Sequence, residues 1–108
     1  MGYGRALAML MLAEPVSATQ ALEMGLVNAV VPVADVASAA RELAARLAAG
    51  PTLAYAAIKE ALVSAATSDL ATALAKEAEL QARCGATADH RNAVEAFLAK
   101  QAPTFTAH

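Results

Sequence analysis

The sequence predicts a mainly α-helical chain with one short strand near residues 26–31. Three observations carry this. Alanine supplies about thirty of the 108 residues, and no residue loses less on entering a helix. Successive segments repeat apolar residues at helical spacing, the mark of a helix with one covered face. Capping and stop residues also punctuate these segments, with Ser17 and Asp69 at starts and Gly25, Gly50 and Gly85 at ends.

Met1 to Ala13 is apolar on nearly every side, so a helix there needs cover from more than one direction. Glu14-Pro15 interrupts it, because proline drives the preceding residue out of the helical region. Ser17 and Gln20 then form an S-x-x-Q capping box for a helix carried by Ala21, Leu22 and Met24 and stopped by Gly25. Leu26-Val27-Asn28-Ala29-Val30-Val31 is apolar and β-branched, and it reads as the strand, closed by Pro32.

From Val33 to Ala49, Val36, Ala40, Leu43 and Leu47 recur on one face while Arg41, Glu42 and Arg46 turn to solvent. Glu42 and Arg46 have the favourable order for an i, i+4 pair. Gly50-Pro51 ends this helix and opens the next, which stacks Tyr55, Ile58, Leu62 and Ala66. Thr67-Ser68-Asp69 breaks the pattern. A helix capped by Asp69 then runs to Cys84, and after Gly85 a last helix begins at Thr87 and Asp89, with Val94, Phe97 and Leu98 as its apolar face.

Length and charge bound the function. A chain of 108 residues is one domain's worth. Its 58% hydrophobic fraction is largely alanine, and four aromatics without tryptophan give few large anchors. Oligomerisation is the expected way to complete its burial. A net charge of −2 offers no basic field for nucleic acid. No apolar run reaches the length of about 20 residues that a membrane span needs. Cys84 stands alone, which excludes an internal disulfide and fits a reducing compartment, the cytoplasm. The Arg5-to-Ala18 stretch mimics a secretory signal, but that reading leaves the capping box without a purpose.

Candidate chemical groups are sparse. Gly2-Tyr3-Gly4 lacks the third glycine and the preceding strand of a dinucleotide fingerprint. Glu77 falls on the apolar side of its helix, where a carboxylate requires a cation or water; it reads as a subunit contact or as one half of an ion pair, for which Lys59 and Arg91 are the candidate partners. His90 and Cys84 have no companions at metal-ligand spacing, and read as a helix-start residue and a small apolar filler. No metal site and no set of catalytic side chains is expected in this segment.

Glu14-Pro15-Val16-Ser17-Ala18, Ala21 and Gly25-Leu26-Val27-Asn28 resemble the E-P-I-S-A-x-x-A-x-x-x-G-L-V-N segment of the enoyl-CoA hydratase/isomerase (crotonase) family. Ala96-Phe97-Leu98-Ala99-Lys100-Gln101-Ala102-Pro103-Thr104-Phe105 is similar to the family's A-F-x-x-K-R-x-P-x-F ending. Thr87-Ala88-Asp89-His90-Arg91 stands where it often has S/T-E-D-x-R. Gln101 and Ala88 depart from these patterns.

The resemblance implies the C-terminal helical trimerisation region of the crotonase fold. Residues 1–32 would end its core, and 33–108 would form the helical oligomerisation and active-site cover region. It implies a parent enzyme, most simply an enoyl-CoA hydratase of fatty acid metabolism, with isomerase or another acyl-CoA branch next. That parent would be a trimer or dimer of trimers, with acyl-CoA as substrate and no cofactor. The oxyanion hole and catalytic glutamates would lie outside this chain, leaving it inactive alone, with no catalytic residue of its own. Phe97 and Lys100 match positions near the CoA of a neighbouring subunit. Without the resemblance, Phe97 reads as a core residue and Lys100 as a solvated helix-end charge. The alternative function is an independent helical self-association module.

Overall fold

The computed structural model describes all residues, Met1–His108, as six α-helices: α1 (Tyr3–Leu12), α2 (Ala18–Glu23), α3 (Val36–Ala48), α4 (Thr52–Ala65), α5 (Leu70–Gly85) and α6 (Ala88–Leu98). A short 3-10 turn at Val33–Asp35 precedes α3. The chain divides into two compact units, Met1–Ala40 and Arg41–His108.

In the first unit, α1 ends on Ala13, whose N–H still bonds the Met9 carbonyl and whose own backbone turns left-handed. None of its residues is fully buried within this chain, so its apolar perimeter stays largely uncovered. The capping box of α2 is complete. Ser17 Oγ accepts from the Gln20 N–H at 3.2 Å, and Gln20 Oε1 accepts from the Ser17 N–H at 2.9 Å. A box of this kind stabilises a helix start by about 1 kcal/mol. At the other end Gly25 takes φ +70, with its N–H bonded to the Leu22 carbonyl and that of Leu26 to the Ala21 carbonyl. This is a Schellman closure, and glycine is the residue that tolerates its left-handed position.

The strand expected near 26–31 does not form; these residues are an irregular segment. The physical reason is pairing. A β-branched run becomes a strand only beside another extended segment that takes up its N–H and C=O groups, and this chain supplies no second strand. The helix expected from Val33 likewise begins only at Val36, after the 3-10 turn whose Asp35 N–H bonds the Pro32 carbonyl. Glu42 and Arg46 form no ion pair, so their favourable spacing is not used.

The second unit is built on α4 and α5. The short link between them makes neighbours of these helices, and they bury Ala57 and Leu80, the latter only 3% exposed. Gly50 lies where α4 begins, and a Cβ there would press on the ring of Tyr55 and force it to shift. Asp69 caps α5 as its sequence position predicts, its Oδ1 accepting from the Thr72 N–H at 2.8 Å. That bond holds the Asp69 carboxyl below the usual range. Thr87 caps α6 by accepting from the His90 N–H at 3.1 Å, and its hydroxyl donates to the Cys84 carbonyl at 2.7 Å, tying the end of α5 to the start of α6.

An ion network joins α4 to α5. Lys76 Nζ lies 2.8 Å from Glu60 and 3.1 Å from Glu79, and Arg83 donates to Glu60 at 2.6 Å. Bonds from Lys76 and then Arg83 hold the Glu60 carboxyl down at about 2.

Buried apolar side chains number three, Ala21, Ala57 and Leu80. The accessible surface is 8438 Å², whereas a self-covered monomer of this mass exposes about 5,600 Å². Much of the excess is aliphatic, with Leu10, Met11, Val63, Leu70 and Leu98 all open.

Candidate functional site

The last turn of α6 and the tail that follows it form the best-defined polar site of the chain. Helix α6 closes by a second Schellman motif, in which the Lys100 N–H bonds the Phe97 carbonyl at 3.1 Å and the Gln101 N–H bonds the Ala96 carbonyl at 2.8 Å. Here the left-handed position is held by Lys100 at φ +55. A side chain with a Cβ is uncommon there and costs some strain. Lys100 is exposed and has no carboxylate partner. Phe97, one turn earlier, is 80% exposed. The core role that periodicity gives Phe97 is therefore not played within this chain, and an aromatic face and a free ammonium stand near the same helix end.

The tail beyond Lys100 returns to the start of α6. Asp89, 4% exposed, receives it: Oδ1 accepts from the Thr106 N–H at 2.7 Å and from Thr106 Oγ1 at 3.2 Å, and Oδ2 accepts from the Ala107 N–H at 3.0 Å. The Asp89 N–H in turn donates to a main-chain oxygen of His108 at 3.0 Å. The Thr106 bond, aided by Ala107, holds the Asp89 carboxyl below its ordinary value against the opposing effect of burial. Phe105 is half-buried on the returning tail. Sequence spacing suggested Asp89 only as a helix-start residue, because its partners lie 17 and 18 positions away.

The other sequence candidates separate. Glu77 lies along a groove of about 440 Å³ between α4 and α5, with Ile58, Leu62, Gln81 and Cys84. It pairs with neither Lys59 nor Arg91, which corrects that expectation. Arg91 instead donates to the Ala86 carbonyl at 3.2 Å, and the carboxylate that does bridge the two helices is Glu60. Glu77 is exposed at the groove, so water meets its charge without a cation. Cys84 is a half-exposed free thiol. His90 serves the Thr87 cap through its backbone, and no group of His, Cys, Asp and Glu side chains is arranged to hold a metal ion. No helix is long and apolar enough to cross a membrane.

Comparison with known proteins shows the family and the fold. The sequence profile of the enoyl-CoA hydratase/isomerase family matches residues 1–108. A Rhodobacter capsulatus protein named a probable enoyl-CoA hydratase is 43% identical over 105 residues, which are 97% of this chain and 41% of that protein. The Escherichia coli 1,2-epoxyphenylacetyl-CoA isomerase is 42% identical, again over 97% of this chain and 40% of its own length. A solved Mycobacterium abscessus structure of the enoyl-CoA hydratase/isomerase type superposes with a TM-score of 0.94 at 44% identity, covering 99% of this chain and 41% of that one. The chain thus spans about two fifths of the length of the relatives it matches, in their C-terminal region.

Proposed function

The chain belongs to the enoyl-CoA hydratase/isomerase family, and from that membership we propose that it serves as the C-terminal segment of an acyl-CoA enzyme, most simply an enoyl-CoA hydratase acting on 2-enoyl thioesters of fatty acid metabolism. Isomerisation is the next reading, since an isomerase stands among the similar proteins. In this reading the segment builds the oligomer, a trimer or dimer of trimers, and contributes one edge of the CoA site. The groups that polarise the thioester carbonyl and move protons belong to the remaining part of the enzyme. No cofactor is required beyond the acyl-CoA substrate. A cytoplasmic location accords with the lone free thiol.

The observation that carries the CoA role is the open pair at the end of α6. Phe97 presents an aromatic face that this chain leaves uncovered, and Lys100 presents an ammonium with no internal carboxylate. A compact cation on a mobile stem suits a phosphate, and an aromatic face suits the nucleotide or pantetheine arm. The assembly role is supported by the exposed aliphatic surface, which a partner subunit would cover.

Lys100→Ala in the complete enzyme is expected to raise the KM for a CoA ester about fivefold with kcat nearly unchanged, the size of one partly screened charge contact. An unchanged KM would remove the phosphate role. The 108-residue chain alone is expected not to hydrate crotonyl-CoA; turnover would place catalytic groups inside this segment. Self-association without catalysis, the competing function, draws on the same open apolar surface. Loss of all CoA effects from Phe97 and Lys100 variants, with assembly intact, would favour it.

A further inference from the structure

We infer that Asp89 is a positioning residue for the CoA edge of the site, acting through the tail to set where Lys100 stands. This rests on the reading of Lys100 as a CoA contact.

Four connected facts carry it. Lys100 sits at a turn whose helix side is fixed by the Schellman bonds to Phe97 and Ala96. Beyond the turn, Gln101 and Ala102 are exposed and belong to no helix, so nothing regular directs their path. The path becomes fixed again at Thr106 and Ala107, where Asp89 takes two backbone N–H groups and one hydroxyl on its two carboxylate oxygens. The Asp89 N–H bond to His108 closes the same junction from the helix side. The Lys100 turn is therefore a loop pinned at both ends, by α6 at one and by Asp89 at the other.

A pinned loop presents its charge with less disorder than a free tail, and ordering supplied before binding raises affinity by lowering the entropy lost on binding. Asp89 suits this work because a buried carboxylate offers acceptors on both oxygens and forms strong bonds to N–H donors. A neutral amide in its place would keep one acceptor and turn a donor toward the Ala107 N–H.

The test is a double-mutant cycle in the full-length enzyme with a CoA ester as substrate, reading KM and kcat for Asp89→Asn, Lys100→Ala and the pair, with thermal unfolding of each variant as the folding control. Asp89→Asn is expected to raise KM about threefold with kcat unchanged, and to add nothing to KM in the Lys100→Ala background. Limited proteolysis should find the peptide bond after Lys100 cut faster in Asp89→Asn than in the parent. If Lys100→Ala raises KM and Asp89→Asn does not, the positioning role is overturned while the CoA contact stands. A full additional KM rise in the Lys100→Ala background overturns it as well, since Asp89 would then act by another route. If Lys100→Ala itself leaves KM unchanged, the CoA contact fails and the positioning role falls with it. Should Asp89→Asn prove too unstable to assay, Thr106→Ala, which removes only the hydroxyl bond, is expected to show the same dependence on Lys100 at smaller size; equal KM rises with and without Lys100 refute the proposal.

Discussion

Leu80→Ala tests where the stability of the second unit resides. Leu80 is the one large apolar side chain buried in this chain, the other buried apolar residues being alanines. The substitution removes three carbons, and at about 0.8 kcal/mol per buried methylene the transfer loss is near 2.4 kcal/mol. A residual cavity would add to that. Here the addition is small, because Leu80 lines the open groove beside Ile58 and Leu62, and water or a shifted neighbour fills the gap. The expected cost is about 2–3 kcal/mol, roughly a sixth to a half of the 5–15 kcal/mol that a folded domain commonly has. Urea unfolding of the 108-residue chain followed by helical circular dichroism should therefore show the midpoint falling by about 1–2 M with little change in slope. Leu62→Ala is the control: Leu62 lines the same groove yet is largely exposed, so its loss should cost about 0.5 kcal/mol or less. Equal effects from the two substitutions would refute the claim that α4 and α5 are held by Leu80 rather than by the groove as a whole.

Glu60 makes stability depend on acid. Its folded carboxyl titrates at about 2, well below its ordinary value. The folded state therefore releases this proton more readily than the unfolded chain does, giving stability that is present above the ordinary carboxylate range and lost as pH falls through about 2. Glu60→Gln should flatten that part of the pH–stability curve, and an unchanged acid limb would refute the role of the Lys76 and Arg83 bonds. Lys100→Gly should stabilise the isolated chain by about 0.5–1 kcal/mol by relieving the left-handed backbone. The same substitution should weaken CoA binding in the complete enzyme; a lower melting temperature would contradict the strain.

The local devices were legible because each is a contact between near neighbours. Ser17 with Gln20, Gly25 after α2 and Asp69 before α5 are satisfied within three to five residues, so spacing alone predicts them. The motifs of the family were legible for a related reason, since Glu14 to Asn28 and Ala96 to Phe105 are continuous stretches. Reading failed where the partner is remote or missing. No local spacing marks Glu60, because its cations are 16 and 23 residues away, and neither candidate cation reaches Glu77.

Composition and punctuation by themselves determined that this is a helical chain and where most of its helices start and stop; these follow from bonds closed within one or two turns. The tertiary structure decided the rest. Residues 26–31 are β-branched yet form no strand, because strand formation requires a partner that sequence cannot promise. Phe97 has core periodicity yet is open, because a helix face is buried only by what lies against it. Asp89 became the anchor of the tail only when folding brought Thr106 and Ala107 to its two oxygens.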